Sequence, residues 1–118
     1  MKYPELQKMT SNDKVPELTS NEFKEFIKGE KPVLIDFFAE WCMPCLMMAP
    51  VIDELSEKFK GKIKFGKVNV EENQELAQKF NVSSIPNFVF FKKGKSVEQF
   101  IGSMSSDDFE DKLSGFLE

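Results

Sequence analysis

The chain has 118 residues, 41% of them hydrophobic, which suits one ordinary domain that closes its own core without metal staples. Its net charge of -4 is spread with no long block of one sign, and every basic residue is a lysine, so the clustered basic surface that a nucleic-acid partner needs is missing. No stretch is long and apolar enough to span a bilayer, and the polar opening with its Pro4 lacks the apolar run of a secretory signal, so the expected location is the cytoplasm.

Residues 1–14 have no period and read as a loose arm ahead of a domain spanning 15–118. Thr19 and Glu22 stand at capping-box spacing, and Phe23, Phe26 and Ile27 follow at helical spacing, so a first helix should run to Gly29. Residues 33–39 are apolar except for Asp36 and follow Pro32, the pattern of a strand buried on both faces. From 42 to 60, Met48, Ile52, Leu55 and Phe59 form one apolar stripe opposite Asp53, Glu54, Glu57 and Lys58, an amphipathic helix that Pro50 should bend. Residues 62–70 alternate imperfectly, as a strand with an irregularity near Gly66. A short helix over 73–80 comes next. Strands at 87–92 and 97–101 then flank Lys93-Gly94 as a hairpin, and a last helix from Ser105 sets Phe109, Leu113 and Phe116 on one face. Strands alternating with helices and closing in a hairpin predict an α/β fold, a mixed sheet covered by helices on both faces.

The chemistry concentrates at Cys42 and Cys45, the only cysteines. A bridge between them closes too small a loop to stabilise the fold much, so their role is chemical. They sit where a buried strand hands over to a helix, and unpaired N–H groups and the positive end of the helix dipole converge there. That placement favours the thiolate of Cys42, lowers its pKa below that of a free thiol, and makes it the attacking sulfur. Cys45, nearly one turn further in, should be less exposed and should resolve the mixed disulfide. Pro44 falls in the first helical turn, where a missing N–H costs little. With no His and no third Cys, a closed zinc site has too few ligands, and no metal or cofactor is expected.

Asp36 is anomalous within its apolar strand. Burial should raise its pKa, and its place on the strand leading to Cys42 suits proton exchange with Cys45 through water, with Lys67 holding it partly ionised. The plainer alternatives are a strand-end carboxylate bonded to backbone and a solvated lysine. Ile85-Pro86 precedes the hairpin, and spacing alone does not predict a cis bond there.

The run Phe37-Phe38-Ala39-Glu40-Trp41-Cys42-Met43-Pro44-Cys45, followed by Ala49-Pro50, resembles the thioredoxin family. Asp36, Lys67-Val68-Asn69-Val70, Ile85-Pro86 and Phe91-Lys92-Lys93-Gly94 stand in matching order and at matching distances, so the resemblance covers about 15–118. It implies a thioredoxin fold, a five-stranded mixed sheet flanked by four helices. It also implies Cys42 as nucleophile, Cys45 as resolving thiol, Asp36 as a buried proton acceptor beside Lys67, and a cis Pro86 next to the disulfide. The Ile85 backbone would pair with a bound polypeptide, and Trp41, Met43 and Pro44 would share that substrate-facing surface.

The implied activity is a protein-disulfide reductase, a monomer acting on disulfide-containing proteins and recharged by a donor of the thioredoxin-reductase type. A disulfide oxidant or isomerase, and a redox-inactive binding module on the same scaffold, are the alternatives. Met43 stands where most members have Gly, Leu46 replaces a basic residue, Phe38 replaces a Trp, and Asn87 follows Pro86 where Thr is common. Met43, Leu46, Met47 and Met48 together would make the site's rim apolar and adaptable, suited to apolar partner segments, although Met48 also fits the buried stripe.

Overall fold

Val33–Phe38, the run buried on nearly its whole length, is strand β1 and the axis of the sheet. The computed structural model describes residues 15–117, and the expected arm at 1–14 lies outside them. β1 pairs in parallel with β2 (Lys64–Asn69) and antiparallel with β3 (Asn87–Lys92), which pairs antiparallel with β4 (Lys95–Ile101). The order is β2-β1-β3-β4. Among the described residues four helices accompany the sheet: α1 (Ser20–Phe26), α2 (Met43–Lys58), α3 (Gln74–Lys79) and α4 (Ser106–Leu117).

Side-chain alternation along β1 sorts the core into two layers. Val33, Ile35 and Phe37 join Val68, Val89 and Phe91 under Phe23 of α1 and Leu76 of α3. Leu34 points the other way and joins Phe88, Phe90, Met48, Ile52 and Leu55, with Phe109 and Leu113 from α4. Phe109 meets Phe88 and Phe100 edge-on, with ring centroids 4.9 and 5.6 Å apart, a geometry that aromatic quadrupoles favour.

The sequence signals for the elements act as expected in most places. Thr19 and Glu22 form both hydrogen bonds of the capping box, and α1 gives way at Ile27 before Gly29 at φ +105°. Lys93 and Gly94 both have positive φ, 51° and 82°, between the paired Lys92 and Lys95, which is the backbone a two-residue hairpin turn demands. α2 continues through Pro50 as one helix.

Two expectations are corrected. Among the described residues the sheet has four strands, not five. Where a fifth would lie, Glu17 makes a single parallel bridge to Lys67, through Lys67 N–H to the Pro16 carbonyl and Leu18 N–H to the Lys67 carbonyl, both 2.9 Å. Pro16 brings no N–H to lengthen that ladder on one side, and on the other the chain turns at Thr19, the N-cap, into α1. Nor is β2 irregular at Gly66, where its register against β1 is unbroken. The sheet's register shift lies instead between Phe90 and Phe91, opposite β4.

Candidate active site

β1 and β2 run parallel and end level, Phe38 opposite Asn69, so the segments leaving the two strands emerge at the same end of the sheet. After β1 the chain turns through Ala39, whose carbonyl accepts the Cys42 N–H at 3.2 Å, and Cys42 becomes the N-cap of α2. The Cys42 Sγ accepts the Cys45 N–H at 3.2 Å, so one of the helix's orphan donors is directed at this sulfur. Pro44 lies in that first turn, where its missing N–H removes no helical bond. The two cysteines form a disulfide with Cα atoms 5.3 Å apart.

Both are buried, Cys42 at 3% exposure and Cys45 at 5%, against Ala39 with Phe38, Val70 and Ile85 around them. The expectation that Cys45 is the less exposed of the pair is therefore corrected. A cap residue folded back on its own helix is covered as well as the residue one turn in. What distinguishes the sulfurs is the N–H that Cys42 receives.

Asp36 lies on the face of β1 that carries Leu34 and Phe38. Leu34 meets the apolar stripe of α2 and Phe38 meets the cysteines, so the carboxyl between them lies beneath the start of α2. It is buried, and its Oδ1 has no hydrogen-bond partner. Burial, partly offset by the positive charge of Lys67, pushes its pKa from 3.8 up to about 7. Lys67 is register-paired with Asp36, and its Nζ stands 5.4 Å from the centroid of the Phe38 ring. The Asp36 carboxylate is thus not the backbone-bonded alternative.

Of the residues expected to face a partner, Trp41, Met43 and Pro44 are exposed, Ile85 is half-buried against the cysteine cluster, and Pro86 is buried behind a cis Ile85–Pro86 bond. Leu46 is exposed too. The adjacent methionines separate as helical spacing requires, Met47 being 71% exposed and Met48 3%.

Sequence reasoning missed three contacts. Glu71 accepts a hydrogen bond from the Trp41 indole, and its loop is ordered by Asn69, whose Oδ1 accepts the Glu71 N–H at 2.9 Å. The available signal was that Trp41 and Glu71 each follow a strand by a few residues and the two strands are parallel neighbours. The third contact, between Asn87 and Gln99 at 2.9 Å in the hairpin, left no local signal.

A family model described as Thioredoxin matches residues 14–115. A thioredoxin of Alicyclobacillus acidocaldarius is 44% identical over 101 residues, covering 86% of this chain and 96% of that protein. A thioredoxin of Synechocystis is 39% identical over 103 residues, covering 86% and 96%. The M-type chloroplastic thioredoxin of Spinacia oleracea is 39% identical over 104 residues, covering 87% of this chain and 58% of that longer protein. Among solved structures, an N21Q mutant thioredoxin from Halobacterium salinarum superposes with a TM-score of 0.80 at 32% identity, over 92% of this chain and 96% of that one.

Proposed function

The chain belongs to the thioredoxin family and is a protein-disulfide reductase, and we propose that Cys42 is its nucleophile, Cys45 its resolving thiol and Asp36 the proton acceptor for Cys45. The observation that carries this reading is the disulfide at the start of α2, with the Cys45 N–H directed at the Cys42 sulfur. In the reduced protein that N–H and the helix dipole stabilise negative charge on Cys42. The thiolate attacks a partner disulfide, one partner sulfur leaves and takes up a proton, and a mixed disulfide forms. Asp36, ionised in part at neutral pH, removes the proton of Cys45. The Cys45 sulfur then attacks Cys42, expelling the second partner thiol. Two electrons have passed to the partner, and the bond left behind is the one the structure contains. Lys67 sets how much of Asp36 is ionised.

The Ile85 N–H and carbonyl have no hydrogen-bond partner among the described residues, which supports pairing with an extended partner segment. Trp41, Met43, Leu46 and Met47 surround the site with exposed apolar and polarisable surface, which supports partners whose target cysteine is flanked by apolar residues. Every group named comes from one chain, in keeping with a monomer. The spent disulfide is reduced again by a two-electron donor of the thioredoxin-reductase type. Two cysteines serving as a dithiol fit a reducing compartment, the cytoplasm. No helix among the described residues is long and apolar enough to cross a membrane.

Cys45→Ser tests the order of events. With the resolving thiol gone, the mixed disulfide on Cys42 should accumulate and be visible as a covalent adduct on a non-reducing gel, released by dithiothreitol. Cys42→Ser should trap nothing. The wild type should have a reduction potential near the thioredoxin value of about −270 mV, whereas a value near about −120 mV would make it an oxidant. A Cys45→Ser protein that forms no adduct with a reducible protein would remove Cys45 from its assigned role.

A further inference from the structure

The loop that carries Ile85 is tied from behind by side chains the thiol chemistry does not use. Asn87, fully buried at the start of β3, donates from Nδ2 to the Ser84 carbonyl at 3.2 Å. Its Oδ1 accepts from Gln99 Nε2 at 2.9 Å, and the same Gln99 nitrogen reaches the Phe80 carbonyl, the C-cap of α3, at 3.3 Å. The Pro86 carbonyl is held in turn by the Gly102 N–H at 2.8 Å. The carbonyls of Phe80, Ser84 and Pro86 are therefore all anchored to the hairpin, while the backbone groups of Ile85, lying between two of them, are left unpaired.

Position 87 must donate to a carbonyl and accept from an amide at once. An amide side chain does both with two separate atoms. The orientation of that amide is set by the network, because the Ser84 carbonyl can only accept.

We propose that Asn87 and Gln99 are positioning residues for partner binding: they hold 81–86 in the shape that offers the Ile85 backbone to an extended polypeptide. The ordering of this loop is then complete before the partner arrives, which strengthens binding without altering the sulfur chemistry. The inference rests on Ile85 being the partner-pairing residue. It also predicts no pH dependence, because neither side chain titrates.

The test compares two substrates in wild type, Gln99→Ala and Asn87→Ala: insulin, whose disulfides lie in polypeptide, and 5,5′-dithiobis(2-nitrobenzoate), which has no peptide backbone. Gln99 is exposed, so Gln99→Ala keeps the test valid if Asn87→Ala does not fold. Each variant removes two of these neutral hydrogen bonds, and a loss that acts through binding should raise KM for insulin about fivefold or more at unchanged kcat. The ratio of kcat/KM between insulin and the small disulfide should fall by the same factor at pH 6 and at pH 8. An unchanged ratio, whether both rates fall together or neither moves, would overturn the proposal. A wild type that reduces the small disulfide but not insulin would overturn the docking role of Ile85 as well.

Discussion

Two opposed effects, burial that raises the pKa of Asp36 and the Lys67 charge that lowers it, leave it at about 7. Its native pKa lies above the ordinary 3.8, so below about pH 3.8 the carboxyl is neutral in both folded and unfolded chains and burying it carries no ionisation cost. As pH rises from there to about 7 the unfolded chain loses the proton first, stability falls, and above that range the loss is complete. Asp36→Asn removes the titration. In the oxidised protein it should leave stability at pH 4 little changed and raise it by roughly 3–4 kcal/mol at pH 8, as read by urea unfolding. It should also slow resolution of the mixed disulfide at pH 7 by at least about tenfold, since the acceptor for the Cys45 proton is gone. Equal stability gains at both pH values would show that Asp36 is not neutral when buried.

Asp36 was legible in the sequence because an acid inside an apolar run is out of place wherever the chain folds. The cysteine pair was legible because its spacing and its position before an amphipathic stripe are local. The partners of Trp41 and Asn87 were not, since Glu71 and Gln99 reach them only after strands have paired across 30 and 12 residues.

Gly66 shows the same boundary for an element. A glycine within an alternating run reads locally as an irregularity, yet β2 passes it in unbroken register. The reason lies across the layers: a Cβ there would stand 2.8 Å from Leu18 Cδ1, 3.0 Å from Phe26 Cε2 and 3.3 Å from Ile35 Cδ1. The side chains of the segment leading into α1 and of α1 itself therefore lie close on β2, and a side chain at 66 would require them to shift. Gly66→Ala gains a few tenths of a kcal/mol in the unfolded chain but must displace a buried leucine and the ring of Phe26. A net loss of about 1–2 kcal/mol should result, visible as a lower Tm. An unchanged Tm would mean that Leu18 and Phe26 have room to shift. Local signals, periodicity with caps and turn residues, identified the four strands and four helices found among the described residues. The fifth strand came from the family resemblance, and Pro16, which has no N–H, together with the turn into α1 at Thr19 explains why only one bridge forms there. The register shift at Phe90 and Phe91 had no signal, because both residues are apolar and buried.

Across the whole molecule, stability and chemistry are drawn from different regions. The cysteine cluster lies at the carboxyl end of β1 with Phe38, Val70 and Ile85, and none of these belongs to the layer that Phe109 fills between α4 and the sheet. Phe109 touches the rings of Phe88 and Phe100, and although Phe88 is the register partner of Asp36, neither ring belongs to the cluster that holds the sulfurs. Phe109→Leu should therefore cost about 1–2 kcal/mol and lower Tm by roughly 4–8 °C, while leaving the rate of mixed-disulfide resolution at 25 °C as it is. Asp36→Asn moves both quantities, and in opposite directions, giving a more stable protein that resolves more slowly. That contrast separates a buried charge kept for its reactivity from a packing residue kept for the fold. If Phe109→Leu slowed resolution in proportion to its loss of stability, the two layers would be coupled, and the position of Asp36 beneath α2 would depend on α4 as well as on β1.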